Sequence, residues 1–250
     1  MTNNHVLDSV EIAQSSYAEF EYELDENNKP KSSILFGFEP QKLYITDEKL
    51  DFTLVYVKQI SESGGKNIAD YGFVPIIETV GKVKEGDAVS IIQHPKGERK
   101  SVALRNNTVT QLDEDFIQYQ TDTEPGSSGS PVFNDAWELV ALHHSGVPMT
   151  DAQGKILTKK GTVATSNDDE NDIAWKANEG VRISRIVAYL RQKATSTQKI
   201  FLKDIIGNLP EPVDNPNTGD ANNDKNINAD KYYKGIDLTG NNLLKHSAIY

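Results

Sequence analysis

The sequence of 250 residues contains no cysteine, and this absence excludes both a disulfide framework and a thiolate metal site. Basic residues are also scarce, with 26 Lys and Arg against 37 Asp and Glu and a net charge of −11, so a nucleic-acid-binding surface is not expected. No apolar run approaches the roughly 18 residues of a membrane span. The polar start, MTNNHVLDS, lacks the apolar core of a signal peptide.

Short strand-like runs dominate the first 185 residues and are separated by turn signals such as SGG, EGD and PKGE. The run YAEFEYEL (17–24) alternates and predicts a half-buried antiparallel strand with Phe20, Tyr22 and Leu24 on one face. Many short strands at close spacing favour an all-β barrel or sandwich over a βαβ fold.

Helical periodicity appears only late in the chain. ISRIVAYLRQKA (183–194) places four apolar residues on one face and offers Ser184 as an N-cap; these residues are Ile183, Ile186, Val187 and Leu190. A second short helix is predicted over 200–207. The composition then shifts, so we predict one domain over 1–208, followed over 209–250 by an Asn/Asp-rich linker and the stump of a second domain.

The stretch EPGSSGSP (124–131) is the first candidate for chemistry. Its glycines allow a sharp turn that presents Ser128, and the amides of Gly126 and Ser128 are candidates for an oxyanion hole. Glycine-serine runs are also common linkers, but linkers rarely lie between two apolar strands, here FIQYQT and SPVF.

A serine nucleophile needs a base, and the base needs an orienting carboxylate. His5 stands directly before two apolar residues. Asp51 stands at the head of the apolar run FTLVYVK, where a partly buried carboxylate needs a partner such as an imidazole N–H. The alternative for each residue is an ordinary terminal, turn or loop position.

Three segments, TNNHVLD, DFTLVYVK and GSSGSPVF, together resemble the histidine, aspartate and serine motifs of trypsin-like serine proteases of the bacterial glutamyl-endopeptidase type. The resemblance covers about residues 1 to 194, with the motifs in the order His5, Asp51, Ser128. It implies an all-β, chymotrypsin-like double antiparallel β-barrel with a C-terminal helix and the active site in the cleft between the barrels.

The same resemblance implies a specificity pocket. In such proteases a threonine before the nucleophile and a histidine after it contact a substrate carboxylate, and Thr123 and His143 stand at those positions. The following residues, His144, Ser145 and Gly146, correspond to an edge that pairs with the substrate backbone. The alternative is a strand-end threonine and a structural strand histidine.

The family places several strands before its histidine motif, whereas only four residues precede His5 here. We therefore expect Met1 to be an internal methionine, the first barrel to be incomplete, and an upstream-extended chain to cleave where this one expresses poorly or lacks activity. The signal peptide is expected to belong to the missing segment, which favours an extracellular or periplasmic location.

The Asn/Asp-rich tail offers oxygen ligands at alternate positions, as calcium loops do. The candidates are Asp220, Asn222 and Asp224. Lys225 stands where the loop needs glycine, and Asp230 falls one position before the usual final carboxylate, so a solvated linker is favoured over a calcium loop.

The sequence thus predicts a monomeric serine endopeptidase that needs no cofactor or metal for its chemistry and acts on protein or peptide substrates, with no nucleic-acid or membrane partner. Two alternatives stay open: a catalytically inactive, peptide-binding member of the same fold, and a calcium-dependent adhesion or scaffold module that depends on the tail.

Overall fold

The computed structural model describes residues 1–104, 107–121 and 126–206. These residues form short antiparallel strands with helices mainly at the end. The strands are β1 Tyr17–Phe20, β2 Ile34–Gly37, β3 Tyr44–Asp47, β4 Phe52–Val55, β5 Ser90–Gln93, β6 Ser101–Ala103, β7 Thr108–Leu112, β8 Phe116–Gln120, β9 Pro131–Phe133, β10 Leu139–Pro148 and β11 Trp175–Arg182. The α-helices are α1 Val10–Ser15, α2 Ile183–Lys193 and α3 Ser196–Ile206.

The first half of the chain forms an open half-barrel. Strand β1 pairs with β2, and β3 pairs with β4. A bridge between Phe38 and Val57 joins the two pairs, and a bridge between Thr2 and Thr53 adds the N-terminal segment beside β4. The interior holds a cluster of buried side chains: Leu7, Ala13, Ala18, Phe20, Phe36, Phe38 and Val55.

The second half forms a seven-stranded antiparallel sheet in the order β6-β5-β9-β10-β11-β8-β7. The sheet curls back on itself, because Ala88, just before β5, bridges Thr108 of β7, and the amide of Val89 donates to the carbonyl of Asn107. Closure removes an exposed sheet edge. The enclosed core contains Val83, Val89, Ile91, Val109, Ile117, Tyr119, Val132, Val140 and Ala141.

Helix α2 closes the space between the two halves. Its predicted apolar face is confirmed, since Ile183, Ile186, Val187 and Leu190 are all fully buried. They pack with side chains of β3, β4, β10 and α3 in one core, and each such burial contributes about 1.5–3 kcal/mol. The predicted N-cap was wrong: Arg182 occupies that position, and Ser184 lies inside the helix.

The first strand is shorter than the sequence predicts. Strand β1 ends at Phe20 because Glu21 has a φ of 60°, in the left-handed region that breaks a strand. Tyr22 and Leu24 therefore do not continue its buried face. Helix α3 begins earlier than predicted, at Ser196.

The all-β prediction, with a closing C-terminal helix, is confirmed. The predicted domain boundary and the polar tail lie outside the described residues. No helix in the described part of the chain is both long and apolar enough to cross a membrane.

Candidate active site

The N-terminal segment holds His5 beside strand β4. Thr2 and Thr53 exchange two backbone hydrogen bonds, of 2.9 and 2.7 Å. The side-chain amide of Asn3 donates to the carbonyl of Asp51 at 2.9 Å. These contacts explain why polar residues precede the histidine: they attach this segment to the β3–β4 hairpin and place the half-exposed imidazole at its end.

Asp51 occupies the turn between β3 and β4 with a φ of 46°, a left-handed conformation that is strained for a residue other than glycine. Its Oδ1 accepts a hydrogen bond from the backbone N–H of His5 at 3.0 Å, and its Oδ2 lies 2.8 Å from Nδ1 of His5. Burial acts to raise the pKa of Asp51, but hydrogen bonds from His144 and His5 outweigh it and hold this pKa well below its usual range. The carboxyl group is therefore ionised.

Ser128 lies in a turn between two glycines with positive φ, Gly126 at 95° and Gly129 at 83°. The amide of Gly129 donates to the carbonyl of His143 at 2.9 Å, which fastens the turn to β10. A Cβ on Gly129 would lie 2.6 Å from Oγ1 of Thr2. Glycine thus allows the serine turn and the histidine segment to approach closely.

The three side chains meet although they come from distant parts of the chain. Nε2 of His5 lies 2.9 Å from Oγ of Ser128. Because the Asp51 carboxylate only accepts hydrogen bonds, Nδ1 of His5 carries the proton and Nε2 is left as an acceptor for the serine hydroxyl. This arrangement is chemically able to remove the hydroxyl proton as the oxygen attacks a carbonyl.

The serine turn also presents backbone donors. No described residue accepts a hydrogen bond from the amide of Gly126 or Ser128. A Cβ on Gly126 would lie 3.0 Å from the backbone nitrogen of Gly97, so this position has no room for a side chain. Backbone N–H groups beside a serine hydroxyl are the type of donor that stabilises an oxyanion.

His143 is buried and its Nδ1 lies 2.8 Å from the hydroxyl of Tyr119. Burial lowers the pKa of His143 to about 3, with further lowering by the charges of His144 and His5. Burial raises the pKa of Tyr119, so its hydroxyl keeps its proton. A neutral imidazole that accepts this proton at Nδ1 carries its own proton on Nε2, ready to donate.

His144 contacts different groups from His143, and it lies at the register shift between His143 and Ser145 in the pairing of β10 with β11. Its Nδ1 lies 3.2 Å from Oδ2 of Asp51, and its Nε2 lies 3.1 Å from Oε1 of Glu179 on β11. The ring stacks on Phe116 with centroids 5.2 Å apart, and Gln118 donates to the other oxygen of Glu179 at 2.9 Å.

Ser145 and Gly146 lie on the part of β10 that pairs with β11. Among the described residues, β10 pairs with β9 only as far as Leu142, which leaves the opposite edge open beyond His143. A Cβ on Gly146 would lie 2.7 Å from Cε3 of Trp175, so the indole occupies the space that the missing side chain provides.

The structure leaves several sequence predictions untested. Thr123 and the calcium candidates Asp220, Asn222 and Asp224 lie outside the described residues. The other histidine of the described residues, His94, is buried, with its Nδ1 3.0 Å from the carbonyl of Glu98 and its ring stacked on Tyr22. Within residues 1–104, 107–121 and 126–206, no group of three or more acidic or histidine side chains is placed to hold a metal ion.

The sequence does not predict that Tyr119, Glu179 or Gln118 contacts the candidate site. Tyr119 reads as an ordinary apolar strand residue, and only its hydroxyl, which needs a partner when buried, hints at the contact with His143. Glu179 stands on a strand distant in sequence, and nothing in its neighbours marks it.

A family model matches more than half of the chain. Residues 1–142 match the family model described as "Trypsin-like peptidase domain". The protein "Uncharacterized protein y4fB" of Sinorhizobium fredii (strain NBRC 101917 / NGR234) is 38% identical over 209 residues, which cover 77% of this chain and 32% of that protein. The chain therefore spans about a third of the length of this curated relative.

Two solved structures resemble the chain at low sequence identity. A Glu endopeptidase in complex with MPD is 15% identical with a TM-score of 0.44, covering 76% of this chain and 78% of its own. The inactive form of a serine-to-alanine mutant of Rv3671c from M. tuberculosis H37Rv is 12% identical with a TM-score of 0.41, covering 76% and 74%.

Proposed function

The chain belongs to the trypsin-like peptidase family, and from this membership we propose that it is a serine endopeptidase whose triad is His5, Asp51 and Ser128. Family membership supports a hydrolase that acts on peptide bonds. That Ser128 acts as the nucleophile is our proposal.

The main support for this proposal is the continuous chain of hydrogen bonds from the Asp51 carboxylate through His5 to the Ser128 hydroxyl. Asp51 Oδ2 to His5 Nδ1 is 2.8 Å, and His5 Nε2 to Ser128 Oγ is 2.9 Å. Both distances lie within the range required of a nucleophile and its general base. If a loop serine lay near a histidine and an aspartate by chance, the continuous order of carboxylate, imidazole and hydroxyl would not be expected.

In the proposed mechanism, Ser128 Oγ attacks the scissile carbonyl carbon while Nε2 of His5 takes the hydroxyl proton. Asp51 stabilises the resulting imidazolium, and the amides of Gly126 and Ser128 stabilise the oxyanion. His5 then returns the proton to the leaving amine, and the acyl-enzyme forms as the peptide bond breaks. A water molecule repeats the sequence to release the acid and restore the serine.

Labelling of the chain with a fluorophosphonate probe tests the nucleophile. We expect covalent modification at Ser128, seen by mass spectrometry, and none in Ser128→Ala. Ser127→Ala is the matched control, because the adjacent Ser127 hydroxyl is buried and has no hydrogen-bond partner among the described residues. Labelling at Ser127, or equal labelling of all three proteins, contradicts the proposal.

We further propose a preference for cleavage after glutamate or aspartate, with Thr123 and His143 binding the substrate carboxylate. The support is the neutral His143, whose tautomer offers Nε2–H to a carboxylate without a buried cation. Peptides that differ only in Glu, Gln or Leu before the scissile bond test it. Equal kcat/KM for the three peptides rules the preference out.

The open edge of β10 beyond His143 supports a second candidate, a peptide-binding protein without cleavage. This candidate predicts that the chain binds extended peptides but that Ser128 is not labelled.

A further inference from the structure

The side chain of His144 lies between two carboxylates. Its two ring nitrogens lie 3.2 Å from Asp51 Oδ2 and 3.1 Å from Glu179 Oε1, and only 13% of the side chain is exposed. Ionised carboxylates accept hydrogen bonds and do not donate them. Both ring nitrogens must therefore carry protons for both contacts to be favourable, which makes the ring an imidazolium.

The surroundings favour that charge. Burial acts to lower the pKa of His144, but hydrogen bonds to Asp51 and Glu179 outweigh it and raise the pKa to about 9. The Phe116 face stacked on the ring, at 5.2 Å and 19°, also suits a cation. Gln118 holds the far oxygen of Glu179, so this carboxylate keeps its orientation.

The other groups near His144 do not cancel its charge. His143, on the same strand, is neutral because burial lowers its pKa to about 3. The hydroxyl of Ser145 lies 3.5 Å from Nε2 and is uncharged. His5 shares Asp51 with His144, so two imidazoles donate to the same oxygen, Oδ2.

We propose that His144 is a positioning residue that, as an imidazolium clamped between Asp51 and Glu179, fixes the triad carboxylate from behind. This inference rests on the proposed serine endopeptidase function and adds a fourth member to its hydrogen-bond chain. His144 acts through Asp51: both of its nitrogens are occupied by carboxylates, so its side chain does not bind the substrate.

Two consequences follow for the triad. First, the second donor restricts rotation of the Asp51 carboxylate, which keeps Oδ2 directed at Nδ1 of His5. Second, the positive charge of His144 offsets part of the negative charge of Asp51. Loss of the His144 charge would leave the field of Asp51 at the His5 ring more negative, which favours the imidazolium that forms in the proposed reaction.

Two substitutions separate the charge from the hydrogen bond. His144→Asn keeps an N–H near the position of Nδ1 but removes the charge, and His144→Leu removes both. Lys176→Gln is the matched control, because it removes an exposed positive charge on β11 that contacts none of these groups. Thermal unfolding and the amide NMR spectrum establish that each variant is folded.

We expect kcat for peptide cleavage to fall by about 10-fold in His144→Asn and further in His144→Leu, with KM unchanged. We also expect the acidic limb of the pH–kcat/KM profile to move up by roughly one pH unit in both variants and to stay in place in Lys176→Gln. A rise in KM alone, or an unmoved acidic limb, overturns the proposal.

A measurement without activity separates this proposal from the proposed function. In the ¹⁵N NMR spectrum of the histidine rings, the signals lost in His144→Asn should show both nitrogens protonated at neutral pH and up to about pH 8. One unprotonated nitrogen at pH 7 contradicts the clamp. If the probe never labels Ser128 while the rings behave as expected, the endopeptidase assignment fails and the imidazolium clamp stands as a structural ion pair without a catalytic role.

Discussion

The hydroxyl of Tyr119 lies 2.8 Å from Nδ1 of His143, and both side chains are buried in the second barrel. The contact sets the tautomer of the histidine, because the protonated phenol donates to Nδ1 and leaves the proton on Nε2. One buried hydroxyl thereby determines which hydrogen bond His143 offers.

Replacement of Tyr119 by phenylalanine should weaken the proposed preference for acidic residues. Without the phenol, the His143 tautomer is no longer fixed, and the donor at Nε2 is lost in part of the molecules. We expect kcat/KM for a glutamate substrate to fall by about 10-fold, the equivalent of one hydrogen bond. The leucine substrate, which makes no such bond, is the internal control, and an equal fall for both substrates contradicts the prediction.

The two adjacent histidines should give the protein a stability maximum near neutral pH. The pKa of His144 is raised to about 9, so its stabilisation is complete below the ordinary value of 6.5 and is lost as the pH rises through about 9. The pKa of His143 is lowered to about 3, so its contribution is present above 6.5 and is lost as the pH falls through about 3.

Urea unfolding followed by tryptophan fluorescence across this pH range measures both effects. We expect the free energy of unfolding to fall by on the order of 2 kcal/mol on the alkaline side. His144→Asn should flatten the alkaline side, and His143→Gln should reduce the slope on the acidic side, where Asp51 also contributes. The same alkaline slope in wild type and His144→Asn would contradict a stabilising charge on His144.

Alanine at position 146 should destabilise the sheet beside the open edge of β10. Its Cβ would lie 2.7 Å from the ring of Trp175, so the indole must move. Forced overpacking of this kind costs about 1–3 kcal/mol. Because Trp175 is partly exposed and has room to move outward, we expect the low end of this range and a change in tryptophan emission.

A double-mutant cycle with Trp175→Ala checks the cause of this loss. With the indole removed, Gly146→Ala should have little further effect on unfolding in urea. If the cost of Gly146→Ala is the same in both backgrounds, backbone conformation and not the contact with Trp175 explains it.

The sequence predicts the parts of this protein that depend on local pattern. The apolar face of α2, with Ile186 and Leu190, follows from helical periodicity, and the strand-rich first part follows from alternation and turns. The meeting of His5, Asp51 and Ser128 was predictable because each lies in a recognisable motif. The distances between the three side chains, however, follow only from the folded structure.

The rest depends on contacts that no local pattern encodes. The end of β1 is set by the positive φ of Glu21, a residue type that gives no turn signal. Glu179 contacts His144 at the place where the pairing of β10 and β11 shifts in register, between His143 and Ser145. The contacts of the two adjacent histidines likewise follow from the fold, since His143 meets Tyr119 whereas His144 meets Asp51 and Glu179.

The contact between His144 and Asp51 joins the two halves of the molecule at a point that the reaction does not alter. While an acyl group occupies Ser128, its oxygen has no proton to share, and the bond from His5 to the serine is interrupted. His144 still connects β10 to the hairpin that carries Asp51 and His5. In the proposed mechanism, His5 is therefore held in position until the water that hydrolyses the acyl group arrives. The lifetime of the acyl-enzyme should be the quantity most sensitive to loss of the contact between His144 and Asp51.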